Sequence, residues 1–223
     1  MKRITQKKIF SNSEGEQWFK RNIILQNEAK KESDRIFIQL LKFIKLKPVK
    51  VLEIGCSNGN RLNLIKKKFH ADCWGLDPSF KAIENGTKRY SEILLSVGTA
   101  DNLPYEDNCF DTVIFGFCLY VCDRNDLFKI AYEANRCLKD EGVLIIEDFY
   151  PNFSYKNKYT HYEGIYSYKM NYPKMFLWNP SYTEIANVVF SSSGFEHRYL
   201  PNDKVSLTVL KKNNRYAYLE EPY

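Results

Sequence analysis

The chain has 223 residues, 44% hydrophobic and 27% charged, with a formal net charge of +6. That length and balance fit one soluble globular domain. No apolar run reaches the ~20 residues of a membrane span, and MKRITQKKIF lacks the apolar stretch of a signal peptide; a cytoplasmic location follows. The basic residues are spread along the chain, as in Lys66–Lys67–Lys68 and Lys211–Lys212, so no compact stripe argues for nucleic acid. The mild positive excess suits a solvated surface and leaves room for an anionic ligand. Cys56, Cys73, Cys109, Cys118, Cys122 and Cys137 form no CxxC pair and have no His at zinc-ligand spacing, so they read as small hydrophobes and no metal site is expected.

From about Glu14 to Ile44 the spacing predicts helix, with Ile36, Leu40, Leu41 and Ile44 on one face and Lys47–Pro48 ending it. Strand, loop and helix then alternate. Lys50–Gly55 reads as a buried strand, Asn60–Phe69 as a helix and Cys73–Asp77 as a second strand. Pro78-Ser79 opens a helix, Ile93–Val97 is a third strand and Thr112–Phe115 begins a fourth. Asp126–Leu138 is a helix with Leu127, Ile130, Ala131, Ala134 and Leu138 on one face, and Gly142–Ile146 is a fifth strand. Such alternation implies an α/β fold: a mainly parallel sheet covered by helices on both faces. Ligands in such sheets bind beyond the strand carboxyl ends. Farther on, a helix is expected over Thr183–Ser192, ended by Gly194. Phe195–Leu200 and Val205–Leu210 flank Pro201-Asn202-Asp203 as an antiparallel hairpin closing the sheet. No repeat and no linker interrupts the chain, so residues 1–223 read as one domain.

Val51-Leu-Glu-Ile-Gly-Cys-Ser-Asn-Gly59 carries the chemistry. A buried strand delivers Glu53 to a turn containing Gly55 and Gly59, and glycine allows the backbone to approach a bulky ligand closely. Glu53 offers negative charge to a cationic one. The dinucleotide fingerprint GxGxxG would need glycine at 57 and 60, where Ser57 and Asn60 stand, and a pyrophosphate would meet Glu53. No Gly-Lys-Ser/Thr follows, so the Walker pattern fails too. Asp77 ends the second strand, 22 residues after Gly55. A carboxylate there can accept hydrogen bonds from both hydroxyls of a ribose, the reading that Glu53 and the spacing favour over a mere cap of the helix opened by Pro78 and Ser79.

With these residues the chain resembles the class I S-adenosylmethionine-dependent methyltransferases with a Rossmann-like fold, in the subfamily that methylates small molecules. The first motif is similar to E/D-x-G-x-G-x-G, with Ser57 in place of the middle glycine. Gly98-Thr-Ala-Asp-Asn-Leu-Pro-Tyr-Glu-Asp-Asn-Cys-Phe-Asp111 resembles G-D-A-E-x-L-P-F…F-D. Phe115-Gly-Phe-Cys-Leu-Tyr120 resembles the stretch after the fourth strand, with Tyr120 where many relatives carry His. Glu133, Arg136, Leu138 and Gly142 are similar to E-x-x-R-x-L-x-P-G-G, although Lys-Asp-Glu-Gly replaces the Pro-Gly-Gly turn. The resemblance covers about residues 50–149 and implies S-adenosylmethionine as cofactor. It implies that Gly55, Cys56, Asn58 and Gly59 line the methionine part, with Glu53 near its ammonium. Asp77, Pro78 and Ser79 then lie at the ribose, Ala100, Asp101 and Asn102 at the adenine, and Phe115 and Gly116 on the far side.

Two segments outside these motifs are expected to choose the methyl acceptor. In Glu14-Gly-Glu-Gln-Trp-Phe-Lys-Arg-Asn22, the residues Trp18, Arg21 and Asn22 share one helix face, in a lid of about residues 1–46. Arg21 can face a carboxylate or phosphate, or simply be a surface charge. The segment Phe149–Tyr182 holds 12 aromatic residues in 34, more than a crossover needs, and reads as a wall over the pocket or as a satellite core under a long loop. Tyr159-Thr-His-Tyr-Glu-Gly164 and Tyr168-Lys-Met-Asn-Tyr172 resemble methylases of bacterial surface-polysaccharide gene clusters, which implies O- or N-methylation of a sugar nucleotide or glycan precursor. Tyr120, Tyr159 and Tyr168 are the candidate acceptor-side tyrosines. Of the three histidines, only His161 falls in the segment expected over the pocket. Its imidazole can take a proton near neutral pH from a hydroxyl acceptor.

Two rival readings stay open. A nucleic-acid amino methylase carries D/N-P-P-Y after the fourth strand, where this chain has Phe-Gly-Phe-Cys; Asn179-Pro-Ser-Tyr182 falls after the fifth. A non-catalytic subunit that binds the cofactor would keep the same motifs. The sequence leaves the acceptor and the oligomeric state open.

Overall fold

The computed structural model describes residues 5–27, 32–191 and 203–220. Helix begins earlier than the apolar spacing indicates. α1 (Gln6–Ile9) runs through a π-helical turn (Phe10–Glu14) into α2 (Gly15–Asn27), and α3 (Glu32–Phe43) follows. Phe37, Leu40 and Leu41 of α3 are buried in the core; the side chain of Ile36 lies outside the described residues. Next come β1 (Lys50–Ile54), α4 (Asn60–Phe69), β2 (Asp72–Asp77), α5 (Phe80–Arg89), β3 (Leu94–Val97) and β4 (Phe110–Gly116). Two 3-10 turns, Leu119–Val121 and Arg124–Asp126, lead into α6 (Leu127–Cys137) and β5 (Leu138–Phe149). β6 (Tyr155–Lys158) and β7 (Tyr166–Lys169) form a separate antiparallel pair, and α7 (Lys174–Leu177), β8 (Tyr182–Ser191) and β9 (Lys204–Lys212) complete the described chain.

The seven-stranded sheet has the order β3-β2-β1-β4-β5-β9-β8. β1 to β5 are parallel, and β9 and β8 are antiparallel additions. This is the Rossmann-like arrangement expected from the alternation. Side chains alternate across the sheet. On one face Val51, Cys73, Ile114, Val143 and Ile145 pack with Phe37, Leu41, Leu62 and Ile65 from α3 and α4. On the other, Leu52, Ile54, Val113, Phe115, Leu144 and Ile146 pack with Ile130 and Ala134 of α6 and Phe176 of α7. Most of these side chains are fully buried, each contributing about 1.5–3 kcal/mol of transfer free energy.

Of the helix expected over Thr183–Ser192, residues 183–191 are instead part of strand β8, and Ser192 lies outside the described residues. Ala186, Val188 and Phe190, two apart, pack into the core, and β8 pairs with β9 from Tyr182↔Lys212 to Ser191↔Lys204. Long-range pairing and the β-branched Val188-Val189 outweigh the local helical appearance. Val205–Leu210 lies within β9, so a closing antiparallel hairpin is present, with β8 as its other arm. Gly194, Phe195–Leu200, Pro201-Asn202 and His197 lie outside the described residues.

Candidate functional site

The carboxyl ends of β1, β2, β4 and β5 meet at the loop following β1. Gly55 (φ +75°), Ser57 (φ +51°) and Gly59 (φ +76°) all take left-handed backbone. At Gly55 a Cβ would lie 2.5 Å from Cys118 Cβ, so only glycine fits. The loop is pinned by Asp77, whose Oδ2 accepts from Ser57 N (2.9 Å) and whose Oδ1 accepts from Ser79 N (2.9 Å). Asp77 is not the cap of α5. That role falls to Ser79, whose Oγ accepts from Ala82 N at 3.1 Å and donates to Glu16 of α2 at 3.0 Å. Each Asp77 oxygen retains acceptor capacity for a ligand hydroxyl. Burial raises Asp77 to about 6, against the lowering pull of those N–H groups.

Glu53 lies on the sheet face of α3 and α4. Its Oε1 accepts from Arg61 Nη1 at 3.1 Å, while its Oε2 is buried without a partner among the described residues. Arg61 also donates to Asp34 Oδ1 at 2.8 Å and to Glu147 Oε2. Three carboxylates thus surround one guanidinium. Burial raises Glu53 to about 7, with Arg61 lowering it and Asp34, Glu147 and Asp77 raising it further. Gly116 of β4 leaves this space free, since a Cβ there would lie 2.5 Å from Glu53 Oε1. A buried, unpartnered carboxylate oxygen in excess negative charge is the requirement of a ligand cation.

Beside the loop is a cavity of about 550 Å³. Ile54, Leu76, Pro78, Ala100 and Ile130 give it apolar walls, and Gly55, Gly98, Thr99 and Asp101 form its inner rim. Cys118, Val121, Cys122, Asp123 and Asp126 also line it, as do Lys7, Phe10 and Ser11 of the N-terminal segment. Lys7 Nζ pairs with Asp101 Oδ2 (2.8 Å) and Asp126 Oδ2 (2.7 Å). Burial would raise Asp101, but hydrogen bonds from Lys7 and Thr99 hold it below the usual carboxylate value.

A second cavity, of about 720 Å³, opens between α2 and the β6–β7 pair. Trp18, Arg21, Asn22 and Tyr120 line one side, and Lys158, Tyr159 and His161 the other. Asn157, Thr160 and Ser167 complete the wall. Arg21 pairs with the buried Glu14 of the π-helical turn, and Tyr159 Oη donates to the same Glu14 oxygen at 2.9 Å. His161 is exposed on the β6–β7 turn, its ring 5.6 Å from that of Tyr159. Burial pushes the Tyr120 phenol up, so it is protonated at neutral pH. Asp148 accepts N–H groups of Leu119 (2.9 Å), Tyr120 (3.3 Å) and Phe149 (2.8 Å), fixing the Leu119–Val121 turn between the cavities. Burial raises Asp148 to about 7.

Some expected contacts take another form. Phe115 is fully buried against Phe176 (6.1 Å between ring centroids) on the α6–α7 face and lines neither cavity. The Asn58 side chain is buried and donates to Asn85 of α5 at 3.1 Å, and the Cys56 thiol packs where a Cβ on Gly75 would touch it. Asn58 keeps its Oδ1 buried without a partner among the described residues. Asn102 is exposed and outside the first cavity's lining; Gly98 and Thr99 stand there instead. Tyr168 is absent from the second cavity because Arg124 lies over its ring, 4.4 Å from the centroid. Sequence reasoning missed Lys7, Phe10, Glu14, Asp34, Arg61 and Cys118. It also passed over Glu147, although Glu147-Asp148 is an acid pair ending the apolar run Val143–Ile146, a signal that was available.

Residues 52–146 match the family described as "Methyltransferase domain". The demethylmenaquinone methyltransferase of Thermotoga maritima is 36% identical over 111 residues, covering 48% of this chain and 47% of that protein. The demethylmenaquinone methyltransferase of Chlorobaculum tepidum is 31% identical over 155 residues, 69% of this chain and 57% of that one. The solved structure of the N-methyltransferase NodS from Bradyrhizobium japonicum, in complex with S-adenosyl-L-homocysteine, superposes with a TM-score of 0.63. It covers 83% of this chain and 88% of that one at 16% identity, a likeness of fold alone.

Residues 52–146 are a class I, S-adenosylmethionine-dependent methyltransferase domain. The chain spans about half the length of the curated relatives it matches. The residues present are chemically compatible with the methyltransferase cofactor: Glu53 leaves a buried carboxylate oxygen for a cation, Asp77 keeps acceptor capacity for hydroxyls, and the cavity lined by Pro78 has apolar walls. Among the described residues, no helix is long and apolar enough to cross a membrane.

Proposed function

We propose that the chain transfers the methyl group of S-adenosylmethionine to an oxygen or nitrogen of a small, anionic acceptor, a sugar nucleotide or glycan precursor. The observation that carries the cofactor half is Glu53: a buried carboxylate oxygen without a partner among the described residues, two positions before Gly55, which itself lines the apolar cavity. A pyrophosphate cofactor would bring negative charge to a place that already holds three carboxylates around one arginine. Calorimetry with S-adenosylhomocysteine and with NADH tests this half. Binding of the former alone is expected; binding of NADH alone overturns it.

The acceptor half rests on the second cavity. Trp18, Tyr120 and Tyr159 offer flat surfaces for the apolar face of a sugar, and Asn157, Thr160 and Ser167 offer partners for its hydroxyls. Arg21 and Lys158 supply positive charge for phosphate. Phe10 lines the first cavity and packs edge-on against Tyr159 of the second, ring centroids 5.8 Å apart, so the two compartments share a wall. The bound cofactor supplies an activated methyl group. The protein's part is to align the acceptor and exclude water, and a hydroxyl acceptor would give its proton to His161. Mass spectrometry of small molecules co-purified with the protein, followed by transfer assays on each, identifies the acceptor. An acceptor that is a nucleic acid would overturn this half.

A further inference from the structure

The cluster around Glu53 contains a cation that the cofactor does not supply. Arg61 stands in the first turn of α4, immediately after the glycine-rich loop, and holds Glu53 at 3.1 Å. The same guanidinium serves Asp34 of α3 at 2.8 Å and Glu147 of β5, and lies over the Phe37 ring, 5.1 Å from its centroid. The charged groups acting on Glu53 are thus Asp34 from α3, Arg61 from α4, Asp77 from β2 and Glu147 from β5, while β4 presents only Gly116. Among the described residues, all the polar contacts of Arg61 are to carboxylates, and all three of those side chains are largely buried.

Building on the cofactor reading above, we propose that Arg61 is a positioning residue that keeps Glu53 ionised for the cofactor's ammonium group, and that Asp34 on α3 opposes it by sharing the guanidinium. An ammonium needs a charged carboxylate partner. Burial favours the protonated, uncharged form of Glu53, and the neighbouring acids favour it further. Arg61 is the counterweight, and every hydrogen bond it gives to Asp34 is withheld from Glu53. The two residues should therefore move the same property in opposite directions. A tie that merely held α3 against the sheet would weaken binding from either side.

The experiment is calorimetric titration from pH 5.5 to 8.5 with two probes. S-adenosylhomocysteine carries the ammonium; 5′-methylthioadenosine has the same nucleoside and thioether without the amino-acid group. In the unaltered chain, S-adenosylhomocysteine affinity should fall below about pH 7, approaching tenfold per pH unit for one linked proton. Methylthioadenosine affinity should stay flat above about pH 6.5 and change only below it, where the ribose-facing Asp77, raised to about 6, takes up its proton. Arg61→Met should move the fall upward by about one pH unit or more and weaken S-adenosylhomocysteine about tenfold at pH 7, with methylthioadenosine unchanged. Asp34→Asn should move the fall downward, and Arg61→Lys should largely restore the original profile. If Arg61→Met does not fold, Asp34→Asn and Arg61→Lys decide. Unmoved profiles, or shifts of the same sign in Asp34→Asn and Arg61→Met, overturn the proposal while leaving the cofactor reading intact. Failure of the unaltered chain to bind either probe overturns that reading itself.

Discussion

The two cavities share one short turn, Leu119–Val121, yet are built by opposite rules. The first is apolar-walled and lies at the ends of the parallel strands that carry the buried acids Glu53 and Glu147 and the half-buried Asp77. The second is aromatic and polar, carries Arg21 and Lys158, and is assembled from α2 and the small β6–β7 pair outside the main sheet. The first lies largely within residues 52–146 that match the methyltransferase family, whereas Trp18, Arg21, Tyr159 and His161 all fall outside them. Where the sheet ends create a site, the strand order dictates which residues meet. Where added segments create one, each contact depends on this chain's particular loops.

The sharpest way to break that division is to cut the added part. Shortening the β6–β7 turn within residues 160–164 should abolish methyl transfer while changing S-adenosylhomocysteine affinity less than about twofold. The cut must spare Tyr166, because the Gln6 side chain donates to Tyr166 O at 2.8 Å and accepts from Tyr166 N at 3.3 Å. Calorimetry and a transfer assay, run side by side, check both halves, and a loss of folding would mark the segment as a satellite core. Next in size, His161→Ala should keep cofactor affinity and lose about 10²–10⁴ in rate with a hydroxyl acceptor. Near-normal turnover across pH 6–9 would remove His161 as the base.

On the other side of the division, Asp77→Ala should weaken S-adenosylhomocysteine by about 1.5–3 kcal/mol, the scale of hydrogen bonds to a charged group. The loss has two sources, the ribose contact and the loop that Asp77 pins through Ser57 and Ser79. Unchanged affinity in a folded variant would place the ribose elsewhere.

The same contrast governs what can be read in advance. The turn from Glu53 to Gly59 and the acid at Asp77 are legible because their chemistry is local: left-handed backbone demands glycine, and a strand end presents one carboxylate. The succession of strands and helices from Lys50 to Ile146 is legible for the same reason. The burial of Phe115 against Phe176 is not legible in the same way, because one residue of register decides which sheet face a side chain meets. Thr183–Ser192 looked helical because its partner strand, β9, is remote in sequence. The Arg61 cluster joins positions 34, 53, 61 and 147, and no local pattern announces such a junction. The second cavity could be assigned to a segment but not drawn, since its shape rests on pairs such as Glu14–Tyr159.

Acid concentrated on the cofactor side also gives the two regions different responses to pH. Burial raises Asp77 to about 6 and Glu53 and Asp148 to about 7. A carboxyl raised on folding binds its proton more tightly in the native state, so stability is greatest at low pH within this window and declines as pH rises from about 4 to 7. Without ligand, the melting temperature should be higher near pH 5.5 than near 7.5, each kcal/mol moving it by about 2–4 °C. Saturating S-adenosylhomocysteine should narrow that difference, because its ammonium favours the ionised Glu53. Scanning calorimetry at the two pH values reads both effects. A melting temperature that rises steadily to pH 7.5 without ligand would show that these acids are ionised at little cost.

The smallest expected effect tests whether the N-terminal segment belongs to the cofactor side at all. Lys7 lines the first cavity and bridges Asp101 and Asp126 at 2.8 and 2.7 Å. Its side chain is 35% exposed, so solvent screens the pair and the bridge contributes at most about 1 kcal/mol. Lys7→Met therefore changes S-adenosylhomocysteine affinity by less than about fivefold. The sign is the informative part. If Lys7 only closes the cavity, removing it loosens the cover and weakens binding. If instead it competes with the adenine for Asp101, removing it frees that carboxylate and strengthens binding. The two cases also separate by salt, since the screened bridge loses its influence as ionic strength rises. The closing role is expected, because Phe10 and Ser11 of the same segment line the cavity and Gln6 anchors it through Val121 O at 2.8 Å. Calorimetry at low and high salt gives the answer. A variant that binds more tightly than the unaltered chain at low salt, with the gain vanishing at high salt, would assign Lys7 to competition rather than closure.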